Sequence, residues 1–340
     1  MGIFSPKERL DRILHKQAID RPPVICPGGM MNSAIVEIMQ KTGHLLPAAH
    51  RDADLMTELA QDVQRYTGFE NLGVPFCMTV EAEALGSEID DGTLECEPKI
   101  HREVFANSHD VIFKDKKAIE DNARIGTIVE TIYRLSKKNP DVPVIGSITG
   151  PLSTAASIVD PMTFLKQLRK EKEVSHEVLD YVTKQLIHFA QLMVDNGATA
   201  ISIADPTATG EILGPKMFEE YAVRYLNQLT DAIHQMGVPV IIHICGRMQA
   251  VTGSISNLHS DALSVDALVN LKKLKEEYPH ITTMGNLSTY MLEFGKPDAV
   301  ERMTEKLLKD NIQIMAPACG LSTSTPLANI TTFTGKVKAI

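Results

Sequence analysis

Eight apolar runs of strand length recur along the chain, and each is followed by residues spaced as on one face of a helix. They are PPVICPGG at 22–29, NLGVPFCMTVEAEAL from 71, VPVIGSITGP at 142–151 and ATAISIADP at 198–206. VPVIIHICG at 238–246, DALSVDA at 261–267, ITTMGNLS at 281–288 and IQIMAPACG at 312–320 complete the set. Helical patterns fall near 33–41, 52–66, 121–138, 161–169 and 174–195, from about 215, and near 268–277, 297–309 and 327–337. A run without polar alternation suits a strand covered on both faces, as in a parallel sheet. The alternation has no linker or low-complexity tract, so it predicts one (β/α)8 barrel domain over 1–340, with a doubly wound open sheet as second choice. Two additions are expected. Ser5 and Pro6 open an N-terminal helical extension, and the polar stretch EIDDGTLECEPKIH after the second run reads as a hairpin insertion.

Composition narrows the function. The chain has 340 residues, 44% of them hydrophobic and 23% charged, which supports a sizeable core. A net charge of −9, no basic patch and no Trp argue against a nucleic-acid partner. No apolar run approaches the roughly 20 residues of a membrane span, and the N-terminus lacks a signal-peptide pattern, so a cytoplasmic protein without a membrane partner is expected. MGIFSP fits a Gly2 myristoylation pattern only imperfectly. Five scattered cysteines, Cys26, Cys77, Cys96, Cys245 and Cys319, suit a reducing compartment better than a disulfide framework. No strand leads into a glycine-rich phosphate loop.

Barrel enzymes carry their chemistry where the strands end, so polar residues at those positions become candidates. His243 and Cys245 lie two apart in VPVIIHICG and therefore share a face. Imidazole nitrogen and thiolate sulfur are preferred zinc ligands, and Cys319 in APACG could supply a third from across the mouth. Three protein ligands leave one position for a substrate. Cys26 and Cys77 also end runs and remain rival ligands, while Cys96 falls in the hairpin. The plain alternative is that the cysteines are small buried apolar groups and His243 a hydrogen-bonded core residue. Asp205 and Asp266 fit either substrate binding or helix capping, and Glu81 and Glu83 either mouth carboxylates or solvated charges. In PGGMMNS, Met30 and Met31 could form an adaptable surface for a flat partner, with Asn32 beside them at the mouth.

RPPVICPG, ITGPLSTAASIVDP, DPTATGEILGPKMFEEYAVRY, HICG, SVDA, GNLST and CGLSTSTPLANI together resemble the uroporphyrinogen decarboxylase superfamily over nearly the whole chain. Within it, HIC paired with ACG resembles the zinc-dependent methylcobalamin:coenzyme M methyltransferases, the methanol-specific type first and the methylamine-specific type second. The resemblance implies a barrel with zinc held by His243, Cys245 and Cys319. It implies coenzyme M as acceptor in methanogenesis, and a methylated corrinoid (methylcobalamin), carried on a separate protein, as donor. The departures also inform. Decarboxylases of the superfamily carry arginines after the first strand and an aspartate after the second; here those stretches read PGGMMNS and PFCMTV. A decarboxylase and a non-catalytic corrinoid-binding protein stand as the alternatives.

Overall fold

The computed structural model describes residues 3–340, so the Gly2 pattern lies outside the described residues. The strands are β1 (Leu72–Val74), β2 (Glu88–Asp90), β3 (Lys99–Arg102), β4 (Val144–Thr149) and β5 (Ala200–Ala204), then β6 (Val240–Ile244), β7 (Ala262–Val265), β8 (Thr283–Leu287) and β9 (Ile314–Pro317). Seven of them form one parallel, curled sheet in the order β1-β4-β5-β6-β7-β8-β9, a TIM-barrel-like arrangement; β2 and β3 pair antiparallel on their own. Every residue of β4 to β9 is buried, as expected of strands with packing on both faces. Helices supply the outer cover. The helix Ala53–Thr67 buries Met56, Leu59, Ala60 and Val63, and Ala123–Lys138 buries Ile125, Ile128, Ile132 and Leu135, each at three- and four-residue spacing. Asp52 and Asn122 cap their first turns. Among the described residues no helix is long and apolar enough to cross a membrane.

The first apolar run departs from expectation, because it makes no regular strand. Val24 forms a single parallel bridge to Met315, through Ile25 N–H to Met315 O and Met315 N–H to Pro23 O, both 2.9 Å. Pro22, Pro23 and Pro27 have no N–H to offer a ladder. Side chains take over toward β1. The Asn71 amide accepts from Cys26 N–H at 2.8 Å and donates to Cys26 O at 2.9 Å, and Glu70 N–H donates to Val24 O. Gly73 allows the close approach, since a Cβ there would collide with the Pro27 carbonyl. The run thus lies between β9 and the residues leading into β1.

Ser5 and Glu8 form a capping box at the start of the helix Pro6–Leu14, which buries Leu10, Ile13 and Leu14. A cavity of about 200 Å³ between this helix and Pro143, Thr199 and Pro239 places it beneath the starts of β4, β5 and β6. Its buried Arg9 donates to Asp20 Oδ1 at 2.7 Å and to Glu70 Oε1 at 2.8 Å. Glu70 also accepts from Arg21 and from Val24 N–H, so one carboxylate joins the helix, the first run and β1. The Arg9 hydrogen bond holds the Asp20 carboxyl well below the usual carboxylate range. Arg9→Ala removes the buried guanidinium that joins Asp20 to the buried Glu70, which keeps Arg21, and is expected to cost about 3 kcal/mol in chemical denaturation. Because the Asp20 pKa is lower folded than unfolded, its contribution is present above the unfolded value of about 3.9 and lost as pH falls toward the folded one. The stability gap between wild type and Arg9→Ala should therefore narrow in acid.

Candidate metal centre

The ends of β6 and β9 meet across the curled sheet. In β6, His243 pairs in register with Ala204 of β5 and Ser264 of β7. It is fully buried, with Nδ1 2.9 Å from Ser264 Oγ and Nε2 2.9 Å from Cys245 Sγ. Cys245 Sγ lies 3.6 Å from Cys319 Sγ, and the ligand atoms of His243, Cys245 and Cys319 all fall within 4.8 Å of one another. Both cysteines are free and half-buried.

The donor set fits a zinc ion. A disulfide requires about 2.05 Å, whereas two sulfurs each about 2.3 Å from a tetrahedral ion stand roughly 3.8 Å apart. Nδ1 is taken up by Ser264 Oγ, which leaves Nε2 facing the sulfurs. The hydrogen bond from Cys245 pulls the Cys319 thiol well below its ordinary range, and the same bond together with burial pushes Cys245 up. A cation is the natural compensation for a buried thiolate.

Met30 and Met31 belong to the same neighbourhood, though not as the exposed pair the sequence suggested. The Gly28–Met31 bridge turns Met31 inward, where it is buried with Sδ 3.6 Å from Ser264 Oγ. Met30 is half-buried, its Sδ 3.8 Å from Cys245 Sγ. Asn32 is buried; its side chain accepts from Ala34 N–H and donates to Glu97 at 3.2 Å, where the hairpin reaches the mouth.

The rival cysteines are engaged elsewhere. Cys26 donates to Met31 O, and burial pushes its thiol up to about 12. Cys77 Sγ accepts from the buried Arg124 at 2.8 Å, and Cys96 is exposed in the hairpin. The remaining mouth residues act as ties. Asp205 is fully buried and accepts from Leu152 N–H, Ser153 N–H and Ser153 Oγ, capping the helix Pro151–Ile158. Burial outweighs those bonds and pushes its carboxyl up to about 6. Glu81 is buried and accepts from Thr149 N–H and Oγ1, with its pKa raised by desolvation; Glu83 pairs with Arg51 and Arg124. Asp266 accepts from Gly246 N–H and Leu268 N–H. Ser264 and Glu97 escaped the sequence reading. Ser264 had a usable signal, since it lies two residues before Asp266 and shares its face.

Comparison with known proteins relates the whole chain to one family. The family model described as uroporphyrinogen decarboxylase (URO-D) matches residues 5–340. A Methanosarcina acetivorans protein named methylcobamide:CoM methyltransferase MtbA is 34% identical over 332 residues, covering 97% of this chain and 96% of its own. A Methanosarcina barkeri protein named methylcobamide:CoM methyltransferase MtaA is 29% identical over 336 residues, with the same coverage of 97% and 96%. A solved structure described as a methyltransferase from Methanosarcina mazei superposes with a TM-score of 0.92 at 28% identity, covering 99% of both chains.

The capping role of Asp205 is open to test. Asp205→Ala leaves the buried N–H groups of Leu152 and Ser153 without their acceptor, while Ser153 Oγ keeps Thr207, and is expected to destabilise the fold by about 2–4 kcal/mol. Metal uptake per folded chain should stay at the wild-type level, measured by elemental analysis beside thermal unfolding.

Proposed function

The chain belongs to the uroporphyrinogen decarboxylase family, and on that premise we propose that it is a zinc-dependent methyltransferase acting on coenzyme M. The methyl donor in this reading is a methylated corrinoid carried on a separate protein. The observation that carries it is the convergence of His243, Cys245 and Cys319 within 4.8 Å. The names of the full-length relatives support the same reaction.

When bound, zinc supplies the Lewis acidity that turns a coordinated thiol, ordinarily with a pKa near 8.5, into a nucleophilic thiolate at neutral pH. The chain's own groups do the rest. Ser264 Oγ engages His243 Nδ1 and keeps the imidazole turned so that Nε2 faces the sulfurs. Cys245 and Cys319 would hold the ion as thiolates, and their two negative charges would balance a divalent cation. The acceptor thiol would give its proton to solvent water, its sulfur would form the bond to the methyl carbon, and the pair from the broken carbon–cobalt bond would stay with the corrinoid. Met30, half-buried beside Cys245, gives the mouth an apolar, polarisable wall.

The decarboxylase alternative is disfavoured by the charge of the loop after the first run. A substrate with several carboxylates needs cations there, and residues 27–33 contain none. A corrinoid carrier without chemistry would have no use for two cysteines and a histidine so gathered.

His243→Ala, Cys245→Ala and Cys319→Ala are each expected to lower zinc content and thiol methylation together, by more than the roughly 10–100-fold typical of outer-partner losses. Full methylation by metal-free Cys319→Ala would overturn the proposal. Ser264→Ala should weaken zinc binding about tenfold in a chelator competition, with the fold unchanged by circular dichroism.

A further inference from the structure

The thiol reading leaves the other end of the acceptor without a partner, because coenzyme M carries a sulfonate two carbons from its sulfur. Around the mouth, the segments that follow the strands and the first run are 26–35, 75–79, 150, 205–209, 245–251, 266–270, 288 and 318–326. Arg247 is the sole Lys or Arg in all of them, and in the hairpin that reaches the mouth Lys99 pairs with Asp90 and Arg102 with Glu88. The other guanidiniums of the region are committed: Arg124 to Cys77, Thr79 and Glu83, and Arg51 to Asp91 and Glu83.

Arg247 stands two residues beyond the candidate ligand Cys245. Its base is fixed on both sides, since Gly246 N–H donates to Asp266 and Met248 is buried. Its head is loosely held, with Nε 3.7 Å from Glu211 Oε1 and 69% of the side chain exposed. A surface pair this long is worth little and leaves the guanidinium donors free for a better acceptor. A guanidinium matches an oxyanion through paired N–H groups, which a neutral hydroxyl cannot use equally.

We infer that Arg247 is the specificity-determining residue of the site, taking the anionic tail of the thiol whose sulfur goes to the His243–Cys245–Cys319 centre. Glu211 is then its competitor, occupying the guanidinium until the anion arrives. This inference rests on the methyl-transfer reading above.

The test uses the zinc-loaded full chain with methylcobalamin as donor, and compares kcat/KM for coenzyme M with that for 2-mercaptoethanol, its uncharged analogue. Arg247→Gln should reduce the ratio about tenfold, mainly through KM for coenzyme M, and Arg247→Lys should restore part of it. Glu211→Gln, which frees the guanidinium, should lower KM for coenzyme M. A ratio unchanged in Arg247→Gln, or a KM raised by Glu211→Gln, would overturn the assignment. Failure of the wild type to methylate either thiol would instead strike the methyl-transfer reading itself.

Discussion

β6 and β9 are separated in the sheet by β7 and β8, so that in a flat sheet their axes would stand roughly 14 Å apart, three spacings of about 4.8 Å. The ligand atoms they carry nevertheless lie within 4.8 Å of one another. Curling of the sheet, with the turns that carry Cys245 and Cys319 past the strand ends, closes that distance, and regular pairing around the sheet is weakest between β9 and β1. There, between β9 and β1, a proline-rich segment is secured by one bridge, the Asn71 amide and the Glu70 carboxylate. β9, which leads to Cys319, thus borders this segment on one side and β8 on the other.

The polar residues at the strand ends share a second logic. Glu81 reaches Thr149 at the end of β4, and Asp205 after β5 reaches the helix after β4. Asp266 after β7 reaches Gly246 after β6, and Asn286 in β8 donates to the carbonyls of Asp266 and Val269. Asn32 O accepts from Leu321 N–H after β9. Each tie joins a loop to its neighbour around the mouth. Polarity at a strand end is thus mostly a matter of holding loops in register, which suits a site whose donors come from separate segments.

The strand runs, the helices and the face shared by His243 and Cys245 were legible because they follow from local periodicity. The weak strand at 22–29 was not, since its apolar pattern is strand-like while its prolines deny it a ladder. Spacing alone could not prefer Cys319 to Cys26 and Cys77; the resemblance did, and the partners of the two rivals agree with it. Cys77 is claimed by Arg124 and Cys26 by a backbone carbonyl, and neither relation has a sequence spacing to announce it. For Met31 the core reading, not the exposed one, matches its burial, and the turn that buries it forms where Gly28 approaches β1. The role of Asp205 as a cap for a helix that begins 54 residues earlier in the chain, at Pro151, was equally out of reach.

Gly320, immediately after Cys319, has no side chain because the carbonyl of Met30 sits where a Cβ would be. The turn bearing Met30 and the backbone bearing a candidate ligand sulfur are consequently one mechanical part, without a compressible side chain between them. A load on that rim would therefore reach the backbone of Cys319 with no side chain between to absorb it.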